Sequence, residues 1–462
     1  MVGDLQGYGT VWYHPKGIAN ILSLHRVAKQ FRVTFDSEGD NAFIVWNNEC
    51  NPRRFIPGPR GLYFCDMTSV SGAILTNYGI TTVDGNKSNY TQRQIKSAEH
   101  TRKMQDTIGA TTDAMIRIVD NKMMLNCPAD RSSINDAVHI FGPSTANLQG
   151  KSTRRTQDHV VLQKILHIPP IILSRHKNVI LGMDVVTVNG VRFFDTYSRD
   201  IKFSTVSEIE DAKIPTLVKL LKYIKCIYAA RGFNIVSIAA DNAFEPMKTD
   251  PDFVILNIAL NVCSADEHEP FIERFNRTLK ERCRMCYATL PFKRMPRQMI
   301  VNLVYLQTFW INFYIPREYI STTLSPGTIV GGRNYDYNLL LGPGTQFGEY
   351  VQTTEKTTNT MRLRTVGAIT MRPTGNSQGS FYYFSLLTGR RLHRKKCTPL
   401  PMPQTAIARI HAMASKQKLP DGLAFLHRNG TIPIAPILIV DNAAPDDESA
   451  ASKGVGTNNE KK

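Results

Sequence analysis

Val179-Ile-Leu-Gly-Met-Asp-Val-Val-Thr-Val188, then Asn189-Gly190, then Val191-Arg-Phe-Phe194 is the stretch on which the fold turns. β-Branched and aromatic residues crowd both sides of an Asn-Gly pair, whose two residues accept the positive φ angles of a tight hairpin turn. Two antiparallel strands are therefore predicted. Read from Val185, the first strand has Asp184 at its entrance. Read from Val179, which the apolar run to Met183 permits, it holds Asp184 in its interior.

Working outward, Ile201 to Val206 is a third β-rich run. Leu217, Leu220, Leu221, Ile224 and Tyr228 then make one apolar helical stripe, with Gly232 placed to stop it. Phe233-Asn-Ile-Val-Ser-Ile-Ala-Ala240 reads as a buried strand running into Asp241. The order is three strands in hairpins, a helix, a strand and further helices. With the earlier start for the first strand, Asp184 and Asp241 fall on neighbouring parallel strands, one carboxylate on each.

After the acidic loop Asp266-Glu-His-Glu-Pro270, the run from Phe271 to Arg284 has helical periodicity, with Ile272, Phe275, Leu279, Cys283 and Cys286 as its apolar stripe. Glu273, Arg277, Lys280 and Arg284 stand at i, i+4, i+7 and i+11, so one edge carries a carboxylate followed by three cations. Such an edge can hold a metal at its head and phosphates along its length. Glu267 and Glu269 are rival acids, but they precede the helix and lack the basic register. Three converging carboxylates repel unless a counter-charge joins them. Hard oxygen donors suit Mg²⁺ or Mn²⁺, and two such ions about 3.5–4 Å apart serve phosphoryl transfer.

The chain has 462 residues, enough for several domains, and 56 Lys and Arg against 39 Asp and Glu leave it at +17. That charge draws polyanions, nucleic acid first among them, although a basic surface also confers plain solubility. Eight scattered cysteines form no disulfide framework. Met1 is followed by no basic and apolar leader. The most apolar stretch, Met299 to Ile315, is broken by Asn302, Gln307 and Asn312 and reads as a buried helix, so no membrane partner is expected.

Five regions follow from the patterning. Residues 1–87 are a small α+β segment, with a helix at 21–29 and a hairpin from Phe31 to Trp46. Residues 88–176 are polar and helical, with a basic cluster at Lys151, Arg154 and Arg155. Residues 177–330 hold the acids. Residues 331–403 are β-rich and end near the basic run Arg390 to Lys396, a small barrel or curled sheet. Residues 404–462 comprise a helix over 404–417 and a tail, disordered by composition from about 443.

Asp184 in Gly-Met-Asp-Val-Val, Asp241-Asn242 after a hydrophobic strand, and Glu273 in Phe-Ile-Glu-Arg-Phe-Asn-Arg, 32 positions after Asp241, resemble the Asp, Asp, Glu signature of retroviral and retrotransposon integrases. Asp195-Thr-Tyr-Ser-Arg199 and Glu273-Arg274 look most like the copia-type branch. The flanks Tyr8-Gly-Thr-Val-Trp-Tyr to Gly61-Leu-Tyr-Phe64, and Phe347-Gly-Glu-Tyr-Val351 to Leu387-Thr-Gly389, are similar to segments before and after such a core. The resemblance covers most of residues 8–403. It implies an RNase H-like α/β/α core with a mixed five-stranded sheet and a metal-dependent strand transfer catalysed by Asp184, Asp241 and Glu273. Two Mg²⁺ or Mn²⁺ ions would be held by those acids. Arg277, Lys280 and, further along that edge, Arg284 would contact DNA.

The implied partners are double-stranded DNA, both element ends and target, and further copies of the chain; the implied place of work is the nucleus or a cytoplasmic particle. The family's His₂Cys₂ zinc site has no counterpart: residues 88–176 hold His100, Cys127, His139, His159, His167 and His176 without paired-cysteine spacing, so no structural zinc is expected. Protease and reverse-transcriptase motifs are missing too, which marks the chain as a polyprotein fragment.

Each sharp reading has a bland one beside it. An Asp at a strand end is usually a turn former. Cys283 and Cys286 have redox spacing but fall on an apolar face, where packing explains them. His268 fits a proton shuttle or a DNA contact, with plain solvation as its bland reading, and the run from Arg390 to Lys396 serves a protected strand edge as well as a phosphate grip. A decayed or domesticated nucleic-acid-binding protein of the same fold is the alternative function. An RNase H-type nuclease is disfavoured because residues 214–231 supply no Asp or Glu.

Overall fold

The computed structural model describes residues 2–5, 9–12, 23–36, 41–46, 53–57, 63–64, 79–150, 165–263, 270–317, 319–334, 346–355, 360–376 and 378–426, with 336, 338 and 340. At the N-terminal end, β1 (Val2–Leu5) pairs β2 (Gly9–Trp12). Helix α1 (Leu24–Gln30) precedes β3 (Arg32–Asp36), β4 (Ala42–Trp46), β5 (Arg53–Pro57) and β6 (Tyr63–Phe64), an antiparallel sheet in that order. The expected helix and hairpin are both there.

Helices α2 (Val83–Lys87), α3 (Gln92–Ile108), α4 (Thr112–Asp120), α5 (Arg131–Phe141) and α6 (Thr145–Gly150) build the helical segment. Thr91 caps α3 through a reciprocal bond with Gln94, and Asp130 caps α5 in the same way with Ser133. Thr101 donates to Ser133 at 2.9 Å, and Arg102 reaches the carbonyls of Ala137 and Gly142. Polar pairs thus fasten helices whose apolar stripes are narrow. The basic cluster at Lys151, Arg154 and Arg155 lies outside the described residues.

Helix α7 (Pro170–His176) leads into the acid-bearing region: β7 (Asn178–Val188), β8 (Val191–Ser198), β9 (Ser204–Ile209), α8 (Ile214–Ala229) and β10 (Asn234–Ala240). A 3₁₀ helix over Asn242–Thr249, α9 (Pro251–Val254), β11 (Ala259–Val262), α10 (Pro270–Ala288), α11 (Arg297–Ile311) and α12 (Pro326–Gly331) follow. The sheet runs β11-β10-β7-β8-β9, parallel on the β10 side of β7 and antiparallel on the other. This is the expected mixed sheet of five strands, with a short sixth added. Asn189 and Gly190 make the turn with φ of 47° and 78°. The third strand starts at Ser204 rather than Ile201, because Ser198 and Phe203 close a turn by mutual bonds and Lys202 takes φ 58° within it.

Alternation along β7 sorts its side chains between two cores. Val179, Leu181, Met183 and Val185 pack with Leu217, Leu221 and Ile224 of α8, while Val186 and Val188 pack with Leu279 and Cys283 of α10 and Met299 and Leu303 of α11. Helices therefore cover both faces, a three-layer α/β/α arrangement. The stretch 299–315 is, as expected, a buried helix for most of its length. No helix among the described residues is long and apolar enough to cross a membrane.

Beyond this unit, β12 (Tyr350–Thr354), β13 (Thr365–Pro373), β14 (Phe381–Ser385), β15 (Arg391–Arg394) and β16 (Cys397–Pro399) form an antiparallel sheet in the order β15-β14-β13-β12-β16. Among the described residues β15 and β16 do not pair, so the five strands form no closed barrel. The two edge strands are nonetheless joined by only Lys395 and Lys396, and around that link Arg394 Nε donates to the Thr354 carbonyl of β12 at 3.0 Å, so the sheet's two edges approach each other there. Arg372 docks this sheet on α11: its guanidinium lies 5.2 Å from the Tyr305 ring centre and 4.7 Å from that of Tyr382, and its Nε donates to Asn302 Oδ1 at 3.0 Å. Helix α13 (Gln404–Lys416) and β17 (Phe425–Leu426) end the described chain, and β17 pairs with β7. The tail from about 443 lies outside the described residues.

Candidate acidic site

The parallel register of β7 and β10 puts Met183 beside Ala240, so Asp184 continues β7 one residue past that pair and Asp241 follows the end of β10. Both are half-buried. Asp184 lies inside β7, the longer of the two strand readings. Asp241 directly follows β10 and stands at the N-cap position of the 3₁₀ helix that begins at Asn242, with no capping bond from its side chain.

Helix α10 lies across β7 at this point. A Cβ on Gly182 would stand 2.6 Å from the Phe271 ring and 2.9 Å from Ile272, so the missing side chain two residues before Asp184 is what lets the start of the helix meet the strand. Asn276, one turn in, donates its Nδ2 to Asp184 Oδ2 at 2.8 Å, while the Val185 amide donates to Asp184 Oδ1 at 2.6 Å. Tyr197 on β8 stacks on Phe275 with ring centres 5.0 Å apart and completes the seat. Gly182→Val should destabilise the fold by about 1–3 kcal/mol through overpacking. Thermal unfolding would check this, and an unchanged melting point would show that α10 does not rest on the strand.

Across the hairpin, Asp195 is the register partner of Asp184 and has 0% exposure, and neither of its carboxylate oxygens has a hydrogen-bond partner. Burial pushes its pKa well above the usual carboxylate range, the Asp184 charge pushes it further, and Lys280 pulls partly back. Lys280 is itself buried, and burial lowers its pKa against the raising influence of Asp184 and Asp195. Asn276 Oδ1 also lacks a partner. A strongly polar pocket thus lies under α10, charged and short of donors.

The proposed acids and cations fall as follows. Asp184 and Asp241 each come one residue after the registered pair Met183 and Ala240, and Glu273 is exposed in the first turn of α10, on the helix that touches Asp184 through Asn276. Of the cations, Arg277 is exposed, Lys280 turns into the sheet, and Arg284 is half-buried with its guanidinium 5.5 Å from the Phe425 ring centre. Cys283 and Cys286 lie in the apolar core, where burial raises both thiols, Cys286 to about 12. Glu267, His268 and Glu269 lie outside the described residues. Among the described residues no three His, Cys, Asp or Glu side chains stand close enough to hold a metal. In the helical segment, Cys127 Sγ points to the Ala129 carbonyl and His139 meets Tyr90 Oη at 3.3 Å.

The sequence reading passed over Asn276 and the role of Asp195. Both were within reach: a two-residue turn at Asn189-Gly190 forces Asp195 opposite Asp184, and Asn276 is three residues beyond Glu273 on the same helix edge.

No protein-family model matches this chain, and no curated protein matches it. Among solved structures, a chain from a cryo-EM structure of the simian T-cell lymphotropic virus intasome in complex with PP2A regulatory subunit B56 gamma aligns at 12% identity. That alignment covers 65% of this chain and 98% of the other, with a TM-score of 0.27. The catalytic core domain of BIV integrase aligns at 12% identity over 33% of this chain and 92% of its own, with a TM-score of 0.25. Superpositions this loose decide nothing, and the placement of the acidic residues carries the functional reading.

Proposed function

We propose that this chain is the catalytic part of a retrotransposon integrase of the copia type, a polynucleotidyl transferase that joins DNA ends to target DNA. The observation that carries this reading is the parallel register of β7 and β10, whose last pair, Met183 and Ala240, is followed in each chain segment by an aspartate, Asp184 and Asp241. Carboxylates are hard donors, and two of them side by side fit a divalent ion. Asp184 and Asp241 would hold Mg²⁺ or Mn²⁺, with Glu273 completing a second ion's shell. When bound, the ions would activate a DNA 3′-hydroxyl and stabilise the departing oxygen. The chain's own residues hold and orient: Asn276 fixes the Asp184 carboxylate, Arg277 offers an exposed cation to a phosphate, and Lys280 sets a buried amine within electrostatic reach of Asp184 and Asp195.

The net charge of +17 favours duplex DNA as partner, and integrases of this kind act as multimers, so further copies of the chain belong to the reading. The test is an incubation of the chain with labelled duplex DNA, with Mg²⁺ or Mn²⁺ and with a chelator. Metal-dependent joined or nicked products are expected; DNA shifted in a gel but left intact at every metal concentration would reject the enzyme.

The second reading is a nucleic-acid-binding protein that keeps the fold without the reaction. One observation favours it: among the described residues no three His, Cys, Asp or Glu side chains gather into one metal-binding group. The same incubation separates the two.

A further inference from the structure

The edge of β7 that faces β10 is shared between two partners. β10 pairs with it from Asn178 to Met183, and β17 pairs with it at Thr187 and Val188, so Asp184 sits at the junction of the two. We propose that Leu419–Leu426 is a strap that holds the Asp184 strand and helix α10 together, that Asn189 is its clamp, and that the acid-bearing unit is incomplete without this C-terminal segment.

Asn189 serves two purposes at once. Its backbone turns β7 into β8 at φ 47°, and its side chain, only 6% exposed, bonds the strap in both directions: Nδ2 donates to the Gly422 carbonyl at 2.9 Å and Oδ1 accepts from the Ala424 amide at 2.6 Å. The Asn189 amide adds a third bond, to the Ala424 carbonyl at 2.8 Å. An asparagine amide matches a strand backbone in this way because it carries one donor group and one acceptor.

The other side of the strap grips the far half of α10 and the turn after it. Leu423 and Phe425, each 3% exposed, enter the core that holds Val186 and Val188 of β7 and Leu279, Cys283 and Tyr287 of α10. The Lys293 carbonyl accepts from both Gly422 N at 2.8 Å and Tyr287 Oη at 2.7 Å. Arg294 pairs with Asp421 at 2.6 Å. One eight-residue segment therefore ties the strand that carries Asp184 to the helix that carries Glu273 and Asn276. Released, the β7–β8 hairpin keeps β8 alone as a neighbour past Asp184, and the helix loses its lower seat. Asn189 and the strap position the acids and touch no substrate.

The functional arm rests on the reading proposed above, but the structural arm does not. Asn189→Gly in the full chain keeps a residue suited to the turn and removes only the side-chain bonds. Ala424→Pro removes the donor from the strap side. In Asn189→Gly, amides in peptides spanning 185–192 should exchange hydrogen at least tenfold faster, while α3–α5 peptides keep their protection. Metal-stimulated nicking should lose at least tenfold in kcat, with KM for DNA within twofold. Adding Ala424→Pro to Asn189→Gly should do no more than Asn189→Gly alone, because the bond that the proline removes is already lost. Unchanged exchange in 185–192, or additive effects of the two substitutions, would overturn the strap. A parent chain that never nicks DNA would reject the enzyme while the exchange data still judge the strap.

Discussion

Asp184→Asn should reduce metal-stimulated strand joining to below roughly one per cent of the parent rate, a loss of about 3 kcal/mol or more in transition-state stabilisation at 1.36 kcal/mol per tenfold. The substitution keeps the side chain's size and one acceptor oxygen, enough for the Val185 amide at 2.6 Å, while the new amide NH₂ stands where Asp184 Oδ2 accepted from Asn276 at 2.8 Å and can donate instead to the unpartnered Asn276 Oδ1 once that side-chain amide turns over. It removes the charge, and with it the attraction for a divalent ion. DNA affinity should stay within about threefold, because backbone contacts come from Arg277 and the wider basic surface rather than from an acid. Gel shift and joining measured on one preparation make the comparison. Joining that persists in Asp184→Asn would remove this residue from the chemistry, and weakened DNA binding would show that the acid serves structure instead.

Asp195→Asn is expected to act in the opposite direction on stability, raising it by roughly 1–3 kcal/mol at pH 8, the scale of an unsatisfied buried polar group. Asp195 is fully buried with both oxygens unpartnered, next to a second carboxylate. Its pKa in the folded chain is raised, first by burial and then by Asp184. The sign follows: the folded state favours the protonated acid, so its contribution is fully present below the unfolded carboxylate pKa and is lost as pH rises through the raised folded value. The gap between mutant and parent should widen as pH climbs from 4 to 8 and nearly vanish below 4. Melting curves across that range decide it. A mutant less stable than the parent at pH 8 would mean that the Asp195 charge has a partner, and Lys280 is the cation at hand.

These two aspartates, eleven residues apart in the chain and register partners in the hairpin, belong to one polar pocket with opposed expectations. Loss of charge at the half-buried one costs chemistry. Loss of charge at the fully buried one relieves strain in the fold. The difference is burial, which local sequence does not display.

Much of the layout is written in local patterns. The Asn189-Gly190 turn, the strand from Phe233 into Asp241, and the apolar stripe of α8 each depend on a few neighbouring residues, and each is found where periodicity puts it. The start of β7 at Asn178 needed a choice between two readings, and pairing with β10 made that choice. The third strand began three residues late because a serine side chain competed for the backbone at Phe203, a bond that no periodicity reveals.

What the sequence determined by itself is the order of elements, the Asp-Asp-Glu spacing and the basic excess, since these depend on neighbours along the chain. Tertiary structure alone decided that Lys280 turns inward while Arg277 faces water, that Asp195 is sealed without partners, and that residues 419–426 return to finish the edge of β7. Those outcomes depend on which surfaces meet across more than two hundred residues, as between Asn189 and Ala424. A helical period names the sides of α10, but only the sheet laid against it says which side is dry.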